Sequence, residues 1–225
     1  MTKLHPKEAA ERHQQHRHDY LPAAGRDAFL PFYDVFTALL GAGKLHRTLI
    51  DQAELAAGQR VLEIGCGTGN LSVRAKQAQP GIELVGSDPD PKALARAQRK
   101  ARGLTGIRFE RGYAQRLPYP DADFDRVLSA LMLHHLDKET KAAAVAEVAR
   151  VLRPGGRLHL VDFTGPTHGI HGALSRRAMK GGHVADNAED GIPKLLGAAG
   201  LVCTEVTDRH TVLGQVKYYR AVRPS

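Results

Sequence analysis

The sequence predicts an α/β fold: a doubly wound, mostly parallel sheet with an N-terminal helical cap and a C-terminal antiparallel hairpin. Three observations lead there. A short apolar run, Val61-Leu62-Glu63-Ile64, opens into glycines at alternate positions, Gly65, Gly67 and Gly69, and resumes as a helical pattern over 71–78. Further strand-like runs at 82–87, 107–110, 124–130 and up to 161–163 alternate with helical patterns at 91–102 and 138–152, the signature of strand–helix–strand units. Two last strand-like runs, 201–207 and 214–222, follow each other with no helix between them.

In the first unit, glycines let the backbone turn sharply and come close to a ligand, so a nucleotide-like molecule should lie over this turn. The spacing bears on which one. A dinucleotide fingerprint needs G-x-G-x-x-G, but here Asn70 holds the third small-residue position and the last glycine comes one residue early. Glu63 would also repel a pyrophosphate, whereas it suits a ligand carrying an ammonium and a sulfonium. S-adenosyl-L-methionine has both.

The run VLEIGCGTGN, followed in order by VGSDPDPKAL, GYAQRLPYPDADFDRVLSALMLHHL and VLRPGGRLHLVDF, resembles the class I S-adenosylmethionine-dependent methyltransferases. Within them it is most similar to the small-molecule branch that includes ubiquinone/menaquinone and sugar O-methyltransferases. The resemblance covers roughly residues 30 to 165 and implies a Rossmann-like core. One domain of 225 residues accommodates this: a helical cap at 1–57, a cofactor-binding core at 58–163, a substrate lid and helix at 164–200, and the hairpin at 201–225.

Taken in order, residues 1–20 carry His5, His13, His16 and His18 without a carboxylate partner on a shared helical face, which reads as a polar segment and not as a metal site. Residues 28–50 hold a cluster of aromatics, Phe29, Phe32, Tyr33 and Phe36, in a helical pattern interrupted at 41–43, and should cap the cleft. Glu63 stands just before the loop that Gly65, Cys66, Gly67 and Gly69 make, all of them in the cofactor site, with Cys66 in a structural role. Asp88, about twenty residues further, ends the second strand where one carboxylate suits two ribose hydroxyls, with Pro89 beside it in the cofactor site. Asp90 is better placed to cap the following helix. The resemblance implies that the turn 112–115 reads adenine, commonly through an Asp where Tyr113 stands; here the Ala114 N–H remains for adenine and Tyr113 stacks on or covers the ring.

Ser129 and Ala130 end the fourth strand, His134 and His135 follow it, and Asp162 lies at the end of the fifth. All lie at carboxyl edges, near the transferred methyl group. Methyl transfer is an in-line displacement, so positioning dominates, but a hydroxyl acceptor must lose a proton. His134 or His135 suits that task near neutral pH, with Asp162 orienting the imidazole or acting as base; packing is the competing role for the His pair. A turn at 153–156 introduces the fifth strand, the helix before it buries Ala144, Val145, Val148 and Leu152, and 192–199 is a helix stopped by Gly200. The glycine-rich stretch 164–190, with His168, His171 and His183, is assigned to a lid over the substrate.

The net charge of +8 is spread among acidic residues with no aromatic-interleaved basic patch, which disfavours a nucleic-acid groove. Ser129-Ala130-Leu131-Met132 also replaces the Asn/Asp-Pro-Pro-aromatic motif of exocyclic-amine methylation. A small hydroxyl or amine acceptor is the leading expectation, with a lipid or quinone head group at a membrane surface second, favoured by the basic charge. A cofactor-binding module without catalysis is the reading from another class. No apolar stretch has the length of a secretory signal core or a membrane span, so a cytoplasmic location is expected, as a monomer or homodimer. Two cysteines supply no thiolate zinc site, and no metal is expected.

Overall fold

The computed structural model describes residues 42–165, 191–211 and 214–225. The N-terminal histidines, the aromatics at 29–36 and His168, His171 and His183 of the stretch assigned to a lid lie outside these residues. The elements are α1 (Ala42–Ala53), β1 (Arg60–Ile64), α2 (Asn70–Ala78), β2 (Glu83–Asp88), α3 (Pro91–Lys100), β3 (Ile107–Arg111), β4 (Phe124–Ala130), a 3-10 turn (Leu133–His135), α4 (Lys138–Val151), β5 (Leu152–Gly165), α5 (Gly191–Ala198), β6 (Val202–Thr211) and β7 (Gly214–Val222). None of the described helices is long and apolar enough to cross a membrane.

The strands form one sheet in the order β3-β2-β1-β4-β5-β7-β6. Pairing is parallel from β3 through β5, and β7 runs antiparallel to both of its neighbours. The core is laid down on both faces of this sheet. Val145, Val148 and Val151 of α4 and Ile192 and Leu196 of α5 pack with Leu62, Val127 and Leu160 on one face. On the other, Leu45 and Leu49 of α1 and Leu71 and Ala75 of α2 pack with Val61, Leu128 and Val161. Strand order reverses between β1 and β4, so the connections leaving their carboxyl ends diverge and open a crevice there.

Local chemistry sets the helix ends. Asp90 accepts the N–H groups of Lys92 (2.8 Å) and Ala93 (3.3 Å) ahead of Pro91, which its fixed φ suits to a first helical turn. Asp137 accepts Thr140 N–H at 2.8 Å to start α4. At the end of α5, Gly200 turns left-handed (φ 81°) and Leu201 N–H returns to the Leu196 carbonyl at 3.1 Å.

Several boundaries differ from the sequence reading. Helix α1 is described from Ala42 onward, with Gly43 in its first described turn and Leu45 and Leu49 holding it against the sheet; the stretch before it in which the break was expected lies outside the described residues. Residues 153–156 do not precede β5 but bulge from within it: Phe124 pairs with Leu152 and Arg126 with Arg157, so one residue of β4 faces four of β5. Gly155 takes the left-handed conformation this needs (φ 75°). Leu152 therefore opens the strand instead of closing α4, and β6 extends to Thr211.

Gly69 caps α2 at φ 77°, and a Cβ there would stand 2.7 Å from the Ala97 Cβ and 3.0 Å from its Cα. It thus fills the close-packing role that the dinucleotide spacing would give to the next residue. Gly69→Ala should cost roughly 2–4 kcal/mol, from the backbone penalty and the overlap together. Urea denaturation reads this directly, and an unchanged midpoint would show that α3 moves aside at little cost.

Candidate active site

A cavity of about 390 Å³ opens at the carboxyl ends of β1, β2 and β4. Its floor is the glycine loop. A Cβ on Gly65 (φ 67°) would run into the Met132 side chain, whereas nothing stands within 4 Å of a Cβ built on Gly67. The loop therefore leaves open space above its backbone, as a close-lying ligand requires.

Glu63 lies beneath this loop, 3% exposed, and its Oε2 accepts the Ser72 hydroxyl. Burial, reinforced by Asp88 and opposed by the Ser72 hydrogen bond, pushes its carboxyl up to about 8. Asp88 accepts Gly67 N–H on Oδ2 (2.8 Å) and Asp90 N–H on Oδ1 (2.9 Å), so it braces the loop as well as facing the cavity, and burial raises its carboxyl too. Asp90 also lines the cavity, and its Oδ2 is buried without a hydrogen-bond partner. Sequence reasoning saw only the cap in Asp90; its second oxygen is a further acceptor.

Pro89, Tyr113, Ala114, Cys66 and Ala130 line the cavity as well. Burial raises the Cys66 thiol well above its ordinary value, which leaves it an unreactive loop residue. Gly69 and Ser129 are off the wall: Gly69 is spent on packing, and the Ser129 hydroxyl is buried among strands without a partner.

The three residues considered for catalysis separate into two layers. His135 lines the cavity. Its imidazole is pushed down to about 4 by burial and by His134, with Asp162 acting in the opposite direction, so it is neutral at pH 7. His134 and Asp162 lie behind the wall. Asp162 is 0% exposed and collects four donors: Leu133 N–H at 2.7 Å, His134 N–H at 3.4 Å, Phe163 N–H at 2.7 Å and His134 Nδ1 at 2.7 Å. The His134 ring lies 4.0 Å from that of His135, centroid to centroid, and meets Phe163 edge-on at 5.1 Å. Just before the 3-10 turn, Leu131 adopts φ 55°, rare for a bulky residue, and is pinned by its N–H to the Val161 carbonyl at 2.8 Å. The whole HH turn is therefore fastened to the end of β5.

His46 of α1 also reaches this cavity, one turn after Ala42. No motif announces it, because only the fold brings α1 against the loop. Among the described residues no group of three or more His, Cys, Asp and Glu is arranged to hold a metal ion.

Residues 61–156 match a family model described as a methyltransferase domain. The chain is 40% identical over 151 residues to a demethylmenaquinone methyltransferase of Thermus thermophilus, covering 65% of this chain and 67% of that protein. It is 40% identical over 150 residues to a demethylmenaquinone methyltransferase of Deinococcus radiodurans, where the match covers 65% of this chain and only 61% of the relative. The fold is shared with the YcgJ protein from a Bacillus (TM-score 0.66, 21% identity, 80% of this chain and 98% of that one). It is shared too with a phosphoethanolamine N-methyltransferase of Haemonchus contortus (TM-score 0.68, 13% identity, 81% of this chain and 53% of that one).

Proposed function

Because the chain belongs to the class I S-adenosylmethionine-dependent methyltransferases, we propose that it methylates a small acceptor of the quinol class, using the cavity at the carboxyl ends of β1, β2 and β4. The observation that carries this is one cavity bounded at once by a cation-seeking buried carboxylate, Glu63, and by a neutral imidazole, His135. The acceptor class is suggested by the demethylmenaquinone methyltransferases among the relatives.

The residues fit the cofactor. Glu63 lacks the cation that would let it ionise, Asp90 offers an unused oxygen beside Asp88 for the ribose, and the loop leaves room above Gly67. Tyr113 and Ala114 take the adenine side. Bound S-adenosylmethionine supplies an electrophilic methyl group. On the acceptor side, His135 is unprotonated at pH 7 and accepts the proton of an acceptor hydroxyl. A ring this weakly basic takes that proton as the nucleophile attacks, not before. A quinol oxygen shares its developing charge with the adjacent ring carbon, so one base serves attack from either atom; attack from carbon is followed by loss of that carbon's own proton, which restores the aromatic ring. Leu131, Met132 and Leu136 close this side of the cavity with apolar surface and keep water from the nucleophile.

Calorimetric titration should show binding of S-adenosylmethionine and none of NAD; the reverse result would overturn the reading. The same titration tests Glu63. Its carboxyl is raised in the folded protein, so the folded state binds more protons than the unfolded one between about 4.5 and 8, and this group costs stability as pH rises through that window. A bound cation reverses the shift, so binding should release close to one proton at pH 6–7, and affinity should climb up to about tenfold per pH unit toward pH 8. Proton release is read by repeating the titration in buffers of different ionisation enthalpy. Labelled cofactor offered with a demethylated naphthoquinol, a catechol or a primary amine then sorts the acceptor classes, and turnover with the amine alone would replace the quinol assignment.

A further inference from the structure

A zwitterionic amino-acid end needs two poles, and Glu63 supplies only the one for the ammonium. The other pole lies on the wall made by α1 and the loop. His46 stands on that wall with its Nδ1 buried and without a hydrogen-bond partner. The charges felt by its ring are those of Arg74 on α2 and Lys100 at the end of α3; with burial as the leading cause, they push it down to about 4 and keep it neutral. Lys100 Nζ donates to Thr68 Oγ1 (2.9 Å) and Asn70 Oδ1 (2.7 Å), both on residues that line the cavity beside the loop. Arg74 is drawn to the same place, since a Cβ on Gly43 of α1 would lie 3.5 Å from its Nη2. The cavity is therefore acidic along Glu63, Asp88 and Asp90 and cationic behind His46, Thr68 and Asn70.

We propose that His46 is a cofactor-binding residue whose ring N–H donates a hydrogen bond to the carboxylate at the amino-acid end of S-adenosylmethionine. The cations behind the wall provide the favourable field, and the uncharged imidazole provides direction. This assignment also explains why α1 turns Ala42 and His46 to the cavity: a small residue beside the imidazole leaves room for the ligand's end. It rests on the reading of the cavity as the S-adenosylmethionine site.

The test is calorimetry on the full chain with S-adenosylhomocysteine and with its decarboxylated analogue, comparing wild type, His46→Ala and His46→Gln. His46→Ala should weaken S-adenosylhomocysteine by roughly ten- to hundredfold, as for a lost hydrogen bond to a charged group. Affinity for the decarboxylated analogue should stay within about twofold, and His46→Gln, which keeps a donor, should recover part of the loss. Equal weakening of both ligands, or of neither, overturns the proposal. Should His46→Ala fail to fold, the wild-type His46 ring resonances carry the test by NMR: a shift with S-adenosylhomocysteine that the decarboxylated analogue does not produce supports the contact, and identical shifts refute it. Wild type that binds neither ligand removes the cofactor site itself, a different outcome from a wild type that binds both and a variant that does the same.

Discussion

Asp162→Ala should destabilise the fold by roughly 3–5 kcal/mol and not merely slow the reaction. Its carboxylate gathers two backbone N–H groups of the HH turn, the N–H of Phe163 and the ring of His134 in a site closed to solvent. Removing it leaves those donors buried without acceptors, and an unpaired buried donor costs about 1–3 kcal/mol. Asp162→Asn keeps one acceptor oxygen but turns an amide N–H₂ toward other donors, so it should fall between alanine and wild type. Urea denaturation of the three proteins decides the matter. A variant with wild-type stability and impaired turnover would return Asp162 to the direct catalytic role that sequence reasoning allowed it.

On the proposed function, which puts the acceptor against the turn after β4, His135→Ala should lower turnover by roughly 10²–10⁴-fold while leaving the dissociation constant of S-adenosylhomocysteine little changed, since His135 lines the cavity on that turn. The pH profile adds a sharper check. A base works only unprotonated, so activity at saturating substrates should be lost as pH falls through the value of the working group. For His135 that is about 4, well below the 6.5 of an ordinary imidazole. A decline centred near 6.5 would point away from His135 and toward an unburied base.

The glycine-loop side of the cavity was legible in the sequence because it is local. The loop, Glu63 and the Asp88 turn are contiguous stretches whose chemistry is set by spacing, and the strand ending at Asp88 falls where the apolar pattern placed it. The side made by the ends of β4 and β5 was legible only as a set of candidates. His134, His135 and Asp162 were placed at adjacent strand ends, but which ring faces the cavity depends on a left-handed Leu131 and a 3-10 turn that no periodicity encodes. Asp90 hid a second oxygen behind its capping role. His46 carried no signal at all, since its position arises from packing α1 onto the sheet through Leu45 and Leu49, contacts distant in sequence from the loop.

The position of β7 has a consequence for how the molecule is made. β6 is synthesised first, yet its bonded neighbour in the sheet is β7, which lies between it and β5. Until residues 214–222 have left the ribosome, β6 has no strand to join and β5 keeps an open edge. Gly155 and Gly156 in the β5 bulge wait even longer, for backbone partners on Arg223. The sheet therefore cannot close vectorially as the chain emerges. Its early, sequence-adjacent parallel units form against one another, and the last strand then inserts as a wedge, a late, non-local step of the kind that sets folding rates and exposes strand edges to misassociation.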